Sequence, residues 1–327
     1  MTDVALEAQV SQTTVSLVLN DAQGARLSAD TRQRVLAAAT QLGYRLVRRG
    51  PQLRGSNSTI GFVVNEMSTD PWMALARDGA RERAWEQGLT LSVAVTRGDA
   101  EMELAVVTNL LRQSPFGLIY GTIHTRRVEP LAFLFQRPTV LLNCYTDARS
   151  LPSIVPAEVA GGRSGTERLV RGGHIRIGFI NGEPGMDASR DRLKGYRQAL
   201  ASADLPFDKD LVRDGNWEPS AGYHCTRELM ELPDPPTAIF CANDLMAIGC
   251  YDALREMGLA IPTDVAVVGY DDRETARYMH PPLTTVVLPH FEMGATAVDM
   301  LIEHAGSPTG RPVQIKEEGP LVERSSV

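Results

Sequence analysis

Two sets of side chains in this sequence have the types and spacing to recognise a ligand. The first lies near the start. Ser11 stands where a helix would begin, and its hydroxyl can accept from the first backbone N–H groups as an N-cap. Gln12 and Thr13 follow at the exposed start of that helix. A glutamine can make a two-point contact with adenine, and a threonine can donate, accept or touch a thymine methyl. Thr14 and Ser16, with the helix N-terminus, suit phosphate oxygens. The second set is scattered: Asp70, Trp72, Asn143, Trp217, Asn243 and Asp271. Tryptophan offers an apolar ring face. Amide and carboxylate groups offer fixed polar partners. That combination suits a ring with one apolar face and several hydroxyls. Asp271 is the strongest of the set, because a carboxylate accepts from two hydroxyls. Plainer readings stand beside these. Trp72 and Trp217 also fit as half-buried packing residues. Arg192 fits a helix-surface ion pair with Asp191 or Asp187, and Asn and Asp cap helices in any protein. Asp272 reads as structural, and Trp85, inside a helix, as core.

The elements that must carry these residues come in two textures. Residues 1–44 show short helical periodicities and no strand run. Thr2–Ala8 begins an amphipathic helix, Gln9-Val10 makes a turn, and Gln12–Leu19 forms a second helix with Val15, Val18 and Leu19 on one face. Small Ala8 lets the two cross closely. A third helix starts at Ser28 as N-cap and runs through Val35, Leu36, Ala39 and Leu42 to Gly43. This is helix-turn-helix grammar, in which the start of the second helix enters the major groove. A helical hairpin with no DNA role is the competing reading.

From Thr59 onward, strands and helices alternate. Strands are expected at Ile60–Val64, Leu89–Val95, Phe116–Tyr120, Thr139–Leu142 and Ser153–Val155, then at Ile175–Ile180, Leu211–Val212, Ala238–Cys241 and Val265–Val268. Helices are expected at Trp72–Gln87, Ala100–Leu111, Val128–Phe135, Ala157–Val170, Ser189–Ser202, Pro219–Glu231 and Asp244–Met257. Two consecutive series of similar size imply two doubly wound α/β lobes with parallel sheets. Such sheets bind ligands beyond the carboxyl ends of their strands. Polar residues recur there: Asn65-Glu66, Gly121-Thr122, Asn143-Cys144, Asn181-Gly182, Ala242-Asn243-Asp244 and Gly269-Tyr270-Asp271-Asp272.

Composition limits the alternatives. Hydrophobic residues make up 43% and charged residues 22% of the 327, which excludes a disordered or fibrous chain. The net charge is −7, yet residues 1–56 hold seven Arg against four acids, leaving that segment at +3 and the remainder at −10. A small basic module on a large acidic body is what a DNA contact plus a separate sensing domain requires. No apolar run is long enough to cross a bilayer, and no secretory leader is expected from the first residues. Cys144, Cys225, Cys241 and Cys250 form no metal spacing and are expected as free, mostly buried thiols of a reducing cytosol. The six His show no ligand pairing, so no metal and no cofactor are expected; a lone His is read as surface or capped. Gly162-Arg163-Ser164-Gly165 is one residue short of a nucleophile elbow, and no phosphate loop ends in Gly-Lys-Ser/Thr, so an enzyme is not expected.

Several motifs resemble one family. Asp3-Val4-Ala5, Val10-Ser11-Gln12-Thr13-Thr14-Val15-Ser16, Val18-Leu19-Asn20, Arg34-Val35 and Leu42-Gly43-Tyr44 resemble the lactose-repressor (LacI/GalR) regulators. The likeness continues through Gly173-His174, Arg192-Leu193-Lys194-Gly195-Tyr196, Ala242-Asn243-Asp244 and Pro282-Leu283-Thr284-Thr285-Val286. It implies an N-terminal all-α helix-turn-helix head over 1–46, a hinge over 47–58 and a two-lobed periplasmic-binding-protein-like core over 59–327. Lobe 1 would take about 59–158 and 288–317, lobe 2 about 159–287 and 318–327. It further implies a cytoplasmic homodimer or tetramer on a pseudo-palindromic DNA operator, most often a repressor, controlled by a small sugar-like effector. A periplasmic-type sugar receptor is the alternative reading. The resemblance adds Leu17, Asn20, Leu53 and Arg54 to the DNA-facing set and places Arg192 at the family's effector-contacting arginine. Leu53 matches a leucine that family members wedge into the minor groove. Three departures stand out. Family members usually have a few more residues before the position of Asp3, so either the first helix is expected to be short by about a turn or the start codon is misplaced; Gln9 replaces a usual Gly, and Leu17 stands where the lactose repressor has a base-reading Arg. In the hinge, Gly50 and Pro51 disfavour a helix, although Pro51 suits a first helical position with Gly50 as its cap; a plain flexible linker is the competing reading.

Overall fold

The computed structural model describes residues 58–68, 71–129, 131–306 and 312–327 and, before them, Glu7, Ala8, Val10, Thr14, Val18, Thr31, Arg34, Val35 and Ala37–Ala39. The chain forms two units, Met1–Pro51 and Gln52–Val327. In the first unit Ala8, Val18, Val35, Ala38 and Ala39 are buried together, with Val10 packed against them. Small side chains let short helical stretches approach closely. Arg34 donates to the Ala8 carbonyl at 3.1 Å, tying the third stretch to the end of the first. The expectations at Ser11, Gln12, Thr13, Ser16, Leu17, Asn20, Leu53 and Arg54, and that at Asp70, lie outside the described residues.

The second unit contains two six-stranded sheets. Strands are numbered along the chain: β1 Thr59–Val64, β2 Thr90–Val95, β3 Gly117–Arg127, β4 Thr139–Tyr145, β5 Ser153–Pro156, β6 Ile177–Asn181, β7 Val212–Asp214, β8 Ala238–Cys241, β9 Ala266–Asp271, β10 Thr284–Val287, β11 Gln314–Glu317 and β12 Leu321–Val322. The first sheet has the order β11-β5-β4-β3-β1-β2 and is wholly parallel. The second has the order β12-β10-β9-β8-β6-β7, parallel except for β12. Both repeat one doubly wound topology, reversing direction at β1/β3 and at β6/β8. Central strands are buried on both faces, which is why they read as unbroken apolar runs rather than alternating ones.

The helices are α1 Trp72–Glu86, α2 Ala100–Arg112, α3 Glu158–Arg171, α4 Asp187–Ser202, α5 Pro219–Met230, α6 Asp244–Glu256 and α7 His290–Gly306. The chain passes from one sheet's lobe to the other after β5, after β10 and after β11. These crossings run side by side. The Ala157 N–H donates to the Glu317 carbonyl at 2.7 Å, and the Val287 N–H to that of Pro320 at 2.9 Å.

Four local expectations are corrected. Residues 128–135 do not form a helix. β3 continues to Arg127, the Val128 N–H still donates to the Tyr145 carbonyl, and only Ala132–Phe135 winds, as a 3₁₀ turn. Glu129 precedes a proline, which disfavours helical backbone there. Trp85 is 45% exposed. Met73, Ala76, Ala80 and Ala84 form the buried stripe of α1, and Trp85 lies about 100° around the helix from Ala84. Ile175 is 74% exposed, and the sixth strand starts two residues later. Leu211 ends a 3₁₀ turn, and the seventh strand is Val212–Asp214.

One close approach positions the site. α3 and α4 meet at Gly162 and Gly195, where a Cβ on either would collide with the other helix's backbone. Gly195→Val is expected to lower stability by about 1–3 kcal/mol through overpacking, read as a lower urea midpoint.

Candidate functional site

A cavity of about 420 Å³ opens at the carboxyl ends of the two sheets, lined from both lobes. Arg192, from the second turn of α4, is buried at 3% exposure. Its Nε and Nη2 donate to the Glu158 carboxylate at 2.6 and 2.9 Å, and its Nη1 donates to the Ala242 carbonyl. The guanidinium carbon lies 3.7 Å from the centroid of the Tyr270 ring and 5.4 Å from that of Trp217. Burial opposes the charge, but Glu158, Tyr270 and Asp271 together outweigh it and hold the Arg192 pKa above its ordinary value. Arg192 is therefore no surface ion pair. Its neighbour Arg190 takes that role with Asp187 and Asp191.

Asp271 ends β9 with a positive φ of 119°. Its carboxylate lies 3.9 Å from Arg192 Nη1 and 3.4 Å from Arg273 Nε. Burial pushes its pKa up to about 7, against the pull of Arg192 and Arg273. Arg273 also sits 4.9 Å from the Trp72 ring centroid. Asp272, by contrast, is held by Arg324 at 2.6 Å, in keeping with a structural role.

Both asparagines line the cavity, but their amides are engaged by the fold. Asn143, at φ 57°, donates to the Thr122 and Ile123 carbonyls at 2.9 and 3.0 Å and accepts from the Thr125 hydroxyl at 2.5 Å. It locks the ends of β3 and β4 together. Asn243 caps α6 by accepting the Met246 N–H at 2.8 Å, and donates to the Trp217 carbonyl at 2.9 Å. That second bond helps fix Trp217, which adopts φ 70° and donates Nε1–H to the Met186 sulfur at 3.0 Å. The indole lies over Gly182, where any Cβ would strike it.

The structure thus brings Trp72, Asn143, Arg192, Trp217, Asn243 and Asp271 to one cavity. Among the residues it adds, which the sequence reading passed over, are Glu158, Arg273 and His290. Glu158 and Arg273 each stand two residues beyond a strand, so the strand-end rule could have found them. His290 carried no such signal. It begins α7, is 2% exposed and lies 5.7 Å from the Trp72 ring, centroid to centroid, tilted by 32°. Neither Nδ1 nor Nε2 has a hydrogen-bond partner among the described residues. An unmet buried polar group costs about 1–3 kcal/mol. Burial, and then Arg192, hold the imidazole pKa down to about 3. Among the described residues, no cluster of His, Cys, Asp or Glu is arranged to hold a metal ion. No helix there is long and apolar enough to cross a membrane.

Two parallel-sheet lobes with a cavity at their facing strand ends define the class of periplasmic-binding-protein-like sensors. A profile described as periplasmic binding protein-like domain matches residues 166–327, and one described as bacterial regulatory proteins, lacI family, matches residues 1–45. The ribose operon repressor of Escherichia coli K12 is 33% identical over 331 residues, covering 100% of this chain and 99% of its own. The repressor PurR of Aliivibrio salmonicida is 30% identical over 304 residues, covering 92% and 90%. A transcriptional regulator CelR–cellobiose complex matches at 31% identity and TM-score 0.68, covering 99% and 98%. A Lac repressor dimer bound to operator and the anti-inducer ONPF matches at 31% and TM-score 0.67, covering 99% and 97%. The chain belongs to the LacI family of bacterial transcriptional regulators, with a helix-turn-helix head and a two-lobed core.

The buried histidine makes stability pH-dependent. Its pKa is lower in the folded than in the unfolded chain, so acid protonates the unfolded chain first. The contribution is complete above about pH 6.5 and is lost as pH falls toward 3. Relative to His290→Phe, the wild type is expected to lose up to about 1.4 kcal/mol per pH unit below 6.5. Urea unfolding of both proteins at pH 7.5, 6 and 5 measures this.

Proposed function

We propose that this protein is a cytoplasmic DNA-binding repressor that sits as a homodimer on a pseudo-palindromic operator and responds to a small sugar-like effector in the cavity. The observation that carries the reading is that cavity, with a buried guanidinium, a carboxylate and two indoles on its wall, in a chain whose first 45 residues match the lacI regulators. Its volume lies in the usual range for small-molecule sites, about 300–1,000 Å³. Trp72 and Trp217 would face the apolar side of a sugar ring, and Arg192 and Asp271 its hydroxyls. Asn143 and Asn243 would act mainly by holding strand ends and Trp217. Asp70 stays in the proposed set on its sequence position alone.

In the head, spanning 1–46, Ser11, Gln12, Thr13, Thr14, Ser16, Leu17 and Asn20 would face DNA. In the hinge, 47–58, Leu53 would enter the minor groove and Arg54 meet phosphate. Leu75, Val93, Val95 and Leu104 are exposed in the first lobe and supply apolar surface for a dimer. Three of the proteins named above are repressors by name and the fourth a transcriptional regulator, and no catalytic role is proposed.

Control would run through closure of the lobes. The Tyr145 hydroxyl donates to Asp187 at 2.8 Å, from a strand of the first sheet to a helix of the second lobe. Arg273 over Trp72 makes a second bridge. A ligand that binds the closed arrangement a hundredfold better shifts the balance by about 2.7 kcal/mol per site.

Gel shift on the protein's own upstream DNA is expected to give a complex that weakens steeply with salt. Gln12→Ala with Thr13→Ala should weaken it at least about tenfold. Unchanged affinity and unchanged target transcript would overturn the assignment of the head. Tyr145→Phe removes a closing contact and should raise the effector concentration for half-response about 2–10-fold, with DNA affinity in the absence of effector changed less.

A further inference from the structure

We propose that His290 reads one hydroxyl of an uncharged polyhydroxyl ligand and so sets which sugar this sensor accepts. The inference rests on the reading of the cavity as the effector site. Its ground is the buried His290 imidazole in that wall. The imidazole is buried, lines the cavity and leaves both ring nitrogens without a partner among the described residues, and its ring lies 5.7 Å from that of Trp72, tilted by 32°.

The surrounding charges define what can meet it. Ionisable groups reach the cavity from every side: His124 from β3, Glu158 from α3, Arg192 from α4, Glu218 ahead of α5, and Asp271 and Arg273 at the end of β9 and just beyond. Arg192 faces Glu158, and Arg273 faces Asp271. Each guanidinium already has a carboxylate, so the wall does not call for an anion. In either tautomer a neutral imidazole offers one N–H donor and one lone pair. A hydroxyl both donates and accepts, so it can meet either nitrogen. A phosphate or carboxylate only accepts. It would satisfy both nitrogens only if the ring took up a proton, which burial beside Arg192 opposes.

The test is titration calorimetry on the full chain with D-ribose, D-glucose, D-galactose, cellobiose, ribose 5-phosphate, glucose 6-phosphate and hypoxanthine. At least one neutral sugar is expected to bind, with its phosphate ester at least about tenfold weaker. The single-deoxy analogues of that sugar then scan its hydroxyls. One position should cost the wild type about tenfold or more and cost His290→Phe nothing. His290→Gln, which keeps a donor and an acceptor, should recover part of that discrimination. A packing defect alone would weaken all analogues alike and leave the ratio intact. Full discrimination retained by His290→Phe overturns the role of His290 and leaves the cavity reading standing. Preference for a sugar phosphate or hypoxanthine overturns the uncharged ligand class, again without touching that reading. Failure of every probe to bind overturns both.

Discussion

The buried ion pair between Arg192 and Glu158 is the interaction on which the sensor's geometry turns. Moving two charges out of water costs several kcal/mol per ion, and Coulomb attraction offsets that only when the geometry is good. Here it is good. The contact is two-pronged, a third donor reaches the Ala242 carbonyl, and the guanidinium lies on the Tyr270 ring. Removing one partner of such a pair leaves a buried charge and costs about 3–5 kcal/mol. The pair also joins three parts of the wall: the start of α3 after the first crossing, α4, and the end of β8. Gly162 and Gly195 let the two helices that carry it approach closely.

Around that pair the molecule repeats itself. Two sheets of the same topology present their strand ends to one cavity, so polar groups from both sheets converge without long loops. The apolar cores of the lobes are separate clusters. Trp72 is the exception, because it comes from α1 yet packs within the buried cluster of the second lobe. Two bridges between the lobes, Tyr145 to Asp187 and Arg273 to Trp72, are a hydrogen bond and a cation–π contact. Contacts of that size are worth about 0.5–2 kcal/mol each, within the range that a bound small molecule can reverse.

Much of this was legible. Strands of an all-parallel layer are buried on both faces, so they appear as short apolar runs, and the alternation with amphipathic helices gave the two lobes. Polar residues after strands marked the cavity wall. The errors have specific causes. Trp85 sits next to the buried stripe of its helix rather than on it. Residues 128–135 looked helical by apolar spacing, but β3 kept its pairing with β4 and a proline followed. Asn143 and Asn243 do line the cavity, as their places after strands suggest, but position alone does not show how many of an amide's bonds the fold already makes.

The sequence by itself determined the elements, their order and the side of each sheet on which polar groups gather. Those follow from periodicity and from the residues at strand ends, which are local properties. Tertiary structure alone decided partnership: that Arg192 would meet Glu158 rather than Asp191, that Asn243 would hold Trp217, and that His290 would come to rest beside Trp72 with its nitrogens unmet. Each of these depends on distant segments brought together by packing. Hydrogen bonds and desolvation act over a few ångströms, and no spacing along the chain specifies that distance.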